Sequence, residues 1–275
     1  MIIRGNTKIL ALIGKNIKHS LSPLIHNYLI NYYKLDMVYV VFDLNEKFEN
    51  FYEFFKNSSN FPGCNITIPY KESAYNLADN INELAREIKA VNTLKHENEI
   101  ITGYNTDIFG FLYTLEKIIC FNMESKNVVI LGSGGTAKTA IYALKDKVAG
   151  ITIVSRSRSK IEHLLSENIK WKEFKNNKEC LKFYDADIII NTTPLGINGE
   201  SIDINWDVLK KELAIFDLIY FDTPLILDAK KRGFNCSNGK NMLIYQALKS
   251  FEIWTDLDIS DSMVQTIKKE VFNEE

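Results

Sequence analysis

No CxxC pair, no HExxH string and no apolar run of membrane length occurs in this chain. Its four cysteines stand alone, at Cys64, Cys120, Cys180 and Cys236. Neither a zinc site nor a dithiol redox pair is therefore signalled, and unpaired thiols point to the cytoplasm. The four histidines are not spaced as metal ligands, so no metal is expected. A membrane span needs about 18 or more apolar residues. The apolar stretch near the N-terminus ends at Gly14 and lacks the cleavage site of a secretory signal. Charge of one sign is also missing: 33 Lys and Arg against 35 Asp and Glu give a net charge of -2. Without a basic stripe, a nucleic-acid partner is not expected. What is present is 46% hydrophobic and 25% charged residues over 275 positions, the composition of a globular chain of two domains.

Apolar strand-like runs alternate with helix-like runs. Strands are expected at residues 8–13, 37–44, 63–68, 91–94, 99–102, 128–131, 151–155, 188–191 and 215–218, with 91–94 and 99–102 a strand pair around Glu97 and Asn98. Helices are expected at 23–33, 46–56, 72–80, 107–119, 160–167, 223–231, 242–254 and 260–272. Such alternation implies α/β architecture with parallel sheets and crossovers.

Four polar strings in the first half sit at strand ends or helix starts. In GKNIKHSLSPLIHN, Ser20 and Ser22 precede a helix that Pro23 opens. Ser22 reads as its N-cap, or the two hydroxyls face one anion at a helix N-terminus. In GCNITIPYK, Asn65 and Thr67 share a strand face and Lys71 follows a proline corner. AVNTL buries an amide, Asn92, in an apolar strand, and an amide buried there needs partners. GYNTDIFG places Asn105 and Asp107 at a helix start. Ligands of open α/β sheets collect at the carboxyl ends of strands. Hydroxyls, amides, one lysine and one aspartate there suit a small, hydroxylated, anionic molecule.

The second half opens on VVILGSGGTAKTAIYAL: a strand, Gly132, Gly134 and Gly135, then a helix. This is the form of a dinucleotide-binding turn, with backbone N–H groups at the helix start.

Together these strings resemble the shikimate dehydrogenase family. The likeness runs through GKNIKHSLSPLIHN, GCNITIPYK, AVNTL, GYNTDIFG, GSGGTA, SRSRSK, NTTPLG and GKNMLIYQ, in that order along nearly the whole chain. It implies an N-terminal α/β substrate domain at residues 1–105, with C-terminal helices from about 246 to 275 packing back on it. It implies a Rossmann-like, doubly wound, parallel-sheet NADP domain at 106–245. The implied reaction is reversible reduction of 3-dehydroshikimate to shikimate by NADPH, in chorismate and aromatic amino-acid biosynthesis. Lys71 and Asp107 would be the catalytic pair. Ser20, Ser22, Thr67, Asn92, Tyr220 and Gln246 would hold the substrate. Gly132, Ser133, Gly134, Gly135, Thr136, Leu218 and Gly239 would contact the cofactor. Asn16 stands where the family has proline, Lys138 where arginine is common, and the YFDTPL loop is two residues shorter than usual.

The strand after the glycine loop ends in Ser155, Arg156, Ser157, Arg158, Ser159 and Lys160, with no acid before Glu162. An NAD enzyme carries an acidic group near this point for the ribose 2′-hydroxyl. This basic turn suits a 2′-phosphate instead, so Ser155, Arg156, Ser157, Arg158 and Lys160 are expected to select NADP. The alternatives are a quinate/shikimate dehydrogenase and a sensor that binds NADP and a cyclic acid without turnover. A monomer or homodimer is expected.

Overall fold

The protein is described from a computed structural model, over residues 2–174 and 180–274. The chain divides into two compact units, Met1–Gly110 with Ile244–Glu275, and Phe111–Leu243.

The first unit is built on a six-stranded sheet. Its strands are β1 (Lys8–Gly14), β2 (Met37–Asp43), β3 (Gly63–Ile66), β4 (Asn80–Ile81), β5 (Thr93–Glu97) and β6 (Ile100–Tyr104). They are ordered β2-β1-β3-β5-β6-β4. β1 lies inside the sheet between β2 and β3 and reads KILALIG, the near-continuous apolar run of a strand covered on both faces. β1 pairs parallel with β2 and β3. β3–β5 and β5–β6 are antiparallel, so this sheet is mixed, and β5–β6 is the strand pair expected around Glu97 and Asn98. The cause of that pairing is a tight turn at Asn98 and Glu99, both left-handed with φ of 51° and 65°, which folds β6 straight back on β5.

Helix Phe48–Lys56 buries Phe48, Phe51, Tyr52 and Phe55 on one face. Phe55 meets Phe61 edge-on at 5.0 Å between ring centroids. These rings join Ala11, Ile13, Cys64 and Ile66 of the sheet in one core.

The second unit carries an all-parallel sheet of β7 (Asn127–Leu131), β8 (Gly150–Ser155), β9 (Ile169–Glu173), β10 (Ile188–Asn191), β11 (Ala214–Asp217) and β12 (Asn235–Ser237). Its order is β12-β11-β10-β7-β8-β9. Counted from β7, that is the 3-2-1-4-5-6 order of the dinucleotide-binding fold, which reverses between β7 and β10.

Local differences from the sequence reading have physical causes. The helix expected at 160–167 is only the 3-10 turn Glu162–Leu164. Ile161 is its one fully buried apolar neighbour, too little packing to hold so short a helix. β9, β12, β4 and helix Glu83–Ile88 were not legible, being short and of weak period. The helix expected at 72–80 stops at Leu77, and its last residue, Asn80, joins β4. β3 ends two residues early, although Thr67 N–H still donates to Ile13 O at 2.9 Å.

Candidate active site

In the first unit, Lys71 opens helix Lys71–Leu77 and Asp107 lies in the first turn of helix Thr106–Tyr113. Lys71 Nζ donates to Asp107 Oδ2 at 2.5 Å, with 30% and 18% of the two side chains exposed. The ion pair is thus close and still open to a small molecule. Asn105 caps the Asp107 helix: its Oδ1 accepts from Ile108 N at 3.3 Å, while its Nδ2 donates to Ala90 O at 2.9 Å.

Ser20 and Ser22 come together on the loop after β1. Ser20 Oγ donates to Ser22 Oγ at 3.2 Å and accepts from Ser22 N at 3.2 Å. Ser22 is not the N-cap. That position falls to Leu21, and no side chain caps the helix, with Pro23 in its first turn. Ser20 satisfies the Ser22 N–H instead, which leaves two neighbouring hydroxyls beside a helix N-terminus. Thr67 is half-buried, and its methyl would lie 2.5 Å from a Cβ at Gly14, so a side chain at Gly14 would displace it.

Asn92 is buried at 3% exposure, and its amide is turned inward. Its Oδ1 accepts from Thr106 N at 2.8 Å and its Nδ2 donates to Thr106 Oγ1 at 3.0 Å. The arrangement fixes the helix that carries Asp107. Asn65 is the centre of a second buried network that sequence reasoning left with Thr67. It accepts from Tyr39 Oη at 2.8 Å and donates to Thr93 Oγ1 and Ser250 Oγ, each at 3.0 Å. Ser250 belongs to helix Lys240–Thr255, as does Gln246, which is 8% exposed. Ser250 Oγ also accepts from or donates to Thr106 Oγ1 at 3.0 Å, so the two networks are one. His26 lies beside them, fully buried, its ring 4.3 Å from that of Tyr39. Both its nitrogens lack a hydrogen-bond partner, and burial lowers its pKa to about 3.

In the second unit the glycine turn joins β7 to helix Gly135–Leu144, with Gly134 as an uncapped N-cap. Gly132 has φ +115°, and a Cβ there would lie 2.5 Å from Thr192 Oγ1. Gly134 and Gly135 have nothing within 4 Å of a Cβ position. Open space above uncapped helix N–H groups fits a pyrophosphate. Ser133 is half-buried and Thr136 exposed on the same turn.

The loops after β10 and β11 are tied together by Asn191 and Asp217, neither of which is exposed. Asp217 accepts from Asn191 Nδ2 at 3.1 Å, Ile219 N at 3.1 Å and Thr223 Oγ1 at 2.6 Å. Burial pushes its carboxyl above the usual range against these three donors. Asp222 takes Asn238 Nδ2 at 2.7 Å and Lys230 Nζ at 2.5 Å. The shortened loop is therefore pinned at both ends, with half-buried Leu218 at its start and Tyr220 45% exposed. Gly239 is buried under it. A Cβ there would lie 2.2 Å from Leu218 O, so its role is to let two backbones touch.

The basic turn after β8 separates its charges. Arg158 Nε pairs with Glu162 Oε1 at 3.3 Å, whereas Arg156 and Lys160 are exposed. Among the described residues no ion pair engages either of these two. The Ser155 hydroxyl is turned into the turn: it donates to Ser157 O at 3.3 Å. Ser157 Oγ in turn lies 3.1 Å from Ser159 Oγ.

Residues 12–94 match the family description "Shikimate dehydrogenase substrate binding domain", and residues 114–202 match "Shikimate / quinate 5-dehydrogenase". The shikimate dehydrogenase (NADP(+)) of Aquifex aeolicus is 34% identical over 96% of this chain and 97% of its own. The chain belongs to the shikimate dehydrogenase family. The fold of that family is present throughout. The solved Aquifex structure superimposes with a TM-score of 0.85, covering 96% of this chain and 98% of its own at 34% identity. A shikimate dehydrogenase solved in complex with NADP+ gives 0.84 at 32% identity, covering 99% and 97%. The 5-ketofructose reductase of a Gluconobacter strain gives 0.83 at 27% identity, covering 96% and 98%. The architecture is thus shared with a relative named for another substrate, and the side chains of the pocket must define the activity.

Proposed function

We propose that this protein is an NADP-dependent shikimate dehydrogenase, interconverting 3-dehydroshikimate and shikimate. The observation that carries the reading is the close Lys71–Asp107 pair in the unit that also holds the Ser20–Ser22 hydroxyl pair. NADPH, when bound, supplies the hydride that converts the ketone carbon to a carbinol. The chain must then neutralise charge at the ketone oxygen. The Lys71 ammonium donates a hydrogen bond to that oxygen and passes it a proton as alkoxide character develops. Asp107 holds Nζ in place. In the reverse direction the same pair takes the proton from the hydroxyl.

The roles of the other groups follow from their chemistry. Ser20 and Ser22 donate to the ring carboxylate. Thr67 and Gln246 take ring hydroxyls. Asn92 acts mainly by fixing the helix of Asp107. Tyr220 and Leu218, on the pinned loop, are the residues assigned to the substrate and to the nicotinamide. Gly132, Ser133, Gly134, Gly135 and Thr136 would cradle the pyrophosphate, and Arg156 with Lys160 would take the 2′-phosphate. Four free thiols, two of them exposed, favour a reducing cytoplasm. Among the described residues no helix is long and apolar enough to cross a membrane.

The joint shikimate/quinate description of residues 114–202 keeps quinate as a second substrate to assay. Retention of both Ser20 and Ser22 favours shikimate. Lys71→Ala tests the chemistry: NADP+ reduction by shikimate should fall by about 10²–10⁴, with shikimate still bound by calorimetry. Unimpaired turnover in that variant would remove Lys71 from the reaction.

A further inference from the structure

Trp171, on β9, belongs to none of the motifs that mark the cofactor site, yet it contacts the basic turn at two points. Its indole N–H donates to Ser155 Oγ at 3.0 Å, and the Ser155 hydroxyl passes the bond on to Ser157 O at 3.3 Å. Arg158 lies with its guanidinium 6.0 Å from the centroid of the Trp171 ring, within reach of a cation–π contact. Its Nε is held by Glu162 at 3.3 Å. The turn from Ser155 to Lys160 is thus fastened through Ser155, Ser157 and Arg158, whose side chain stays 56% exposed, and among the described residues no ion pair engages the exposed Arg156 and Lys160.

We propose that Trp171 is a specificity-determining positioning residue for NADP. It acts through Ser155 and Arg158, and rests on the reading of this turn as the 2′-phosphate site. Arg158 is then a strut, paired with Glu162 and within cation–π reach of the indole, while Arg156 and Lys160 are the cations that receive the phosphate. A 2′-phosphate needs its donors held in one geometry, because a mobile arginine loses side-chain entropy on binding. NADH has no phosphate there, so loosening the turn leaves its binding almost untouched.

The test is kcat/KM for NADPH and for NADH with saturating 3-dehydroshikimate, in the full chain. Trp171→Phe keeps the ring face but removes the N–H, and a neutral hydrogen bond is worth about a 5-fold change. The NADPH/NADH ratio should fall about 5-fold in Trp171→Phe and about 10-fold or more in Trp171→Leu, which also loses the cation–π contact. The loss should reside in KM for NADPH, with kcat and the NADH constants within about 2-fold. Ser155→Ala removes the same hydrogen bond from its other side, so adding it to Trp171→Phe should cost little more. Arg158→Ala should lower the ratio less than Arg156→Ala. A ratio unchanged in Trp171→Phe, or a parallel fall for both cofactors, overturns the proposal. If the unaltered enzyme itself showed no preference for NADPH, the reading of the turn would fail instead. NADH turnover reports that each variant is folded, and Trp171→Phe carries the test if Trp171→Leu does not fold.

Discussion

At the scale of single residues, the groups proposed to carry the chemistry stand out in the sequence, and the residues that hold them in place do not. Lys71, Asp107 and Arg156 are charged residues at strand ends or helix starts, where packing alone does not ask for them. Arg156→Ala removes a charge-assisted hydrogen bond worth about 1.5–3 kcal/mol. KM for NADPH should therefore rise by about 10- to 150-fold, and an unchanged KM would remove Arg156 from the cofactor site. Asn65 and Ser250, by contrast, bond across 185 positions of sequence, and no local pattern joins such partners. His26 gives a prediction of another kind. Its folded pKa of about 3 lies below the unfolded value of about 6.5. Between those two values the unfolded chain binds more protons, so stability must rise with pH there and fall on acidification. At pH 5 the loss from this one group is about 2 kcal/mol. The melting temperature should fall between pH 7 and pH 5, and fall less in His26→Leu. Equal slopes in the two proteins would show that His26 is not the group responsible.

At the scale of elements, long apolar strands and strongly one-sided helices were legible. β1, β2, β7 and β8 each carry an apolar run, and helix Phe48–Lys56 carries aromatics at helical spacing. The same helix supplies a prediction. Phe55 is fully buried against Phe51, Tyr52, Phe61 and His96. Phe55→Ala should lower unfolding stability by about 3–5 kcal/mol, read as a reduced denaturant midpoint, whereas Phe54→Ala on the 56% exposed face should change little. Short elements escaped because a few residues do not define a period. β12 reads NCS and β4 reads NI, and their pairing is set by the sheet beside them. The helix expected at 160–167 failed for the converse reason: its local pattern was adequate, but the fold gave it little to pack against.

At the scale of the whole molecule, the alternation of strands and helices pointed to the α/β class. The strand pair around Glu97 and Asn98 was legible and is β5–β6; the antiparallel pairing of β3 with β5 was not, because those partners lie far apart in sequence. The second sheet follows the dinucleotide-binding order from the glycine turn onward. Asp217 and Asp222 make the loop after β11 a fixed part of that sheet's carboxyl edge. The proposed activity is open to one direct assay. Shikimate and quinate are each offered with NADP+ and with NAD+, and growth of the reduced-nicotinamide absorbance band is followed. Shikimate with NADP+ should give the highest kcat/KM of the four pairs. Shikimate binding with no reduction of either cofactor, or a higher kcat/KM for quinate with NAD+, would contradict it.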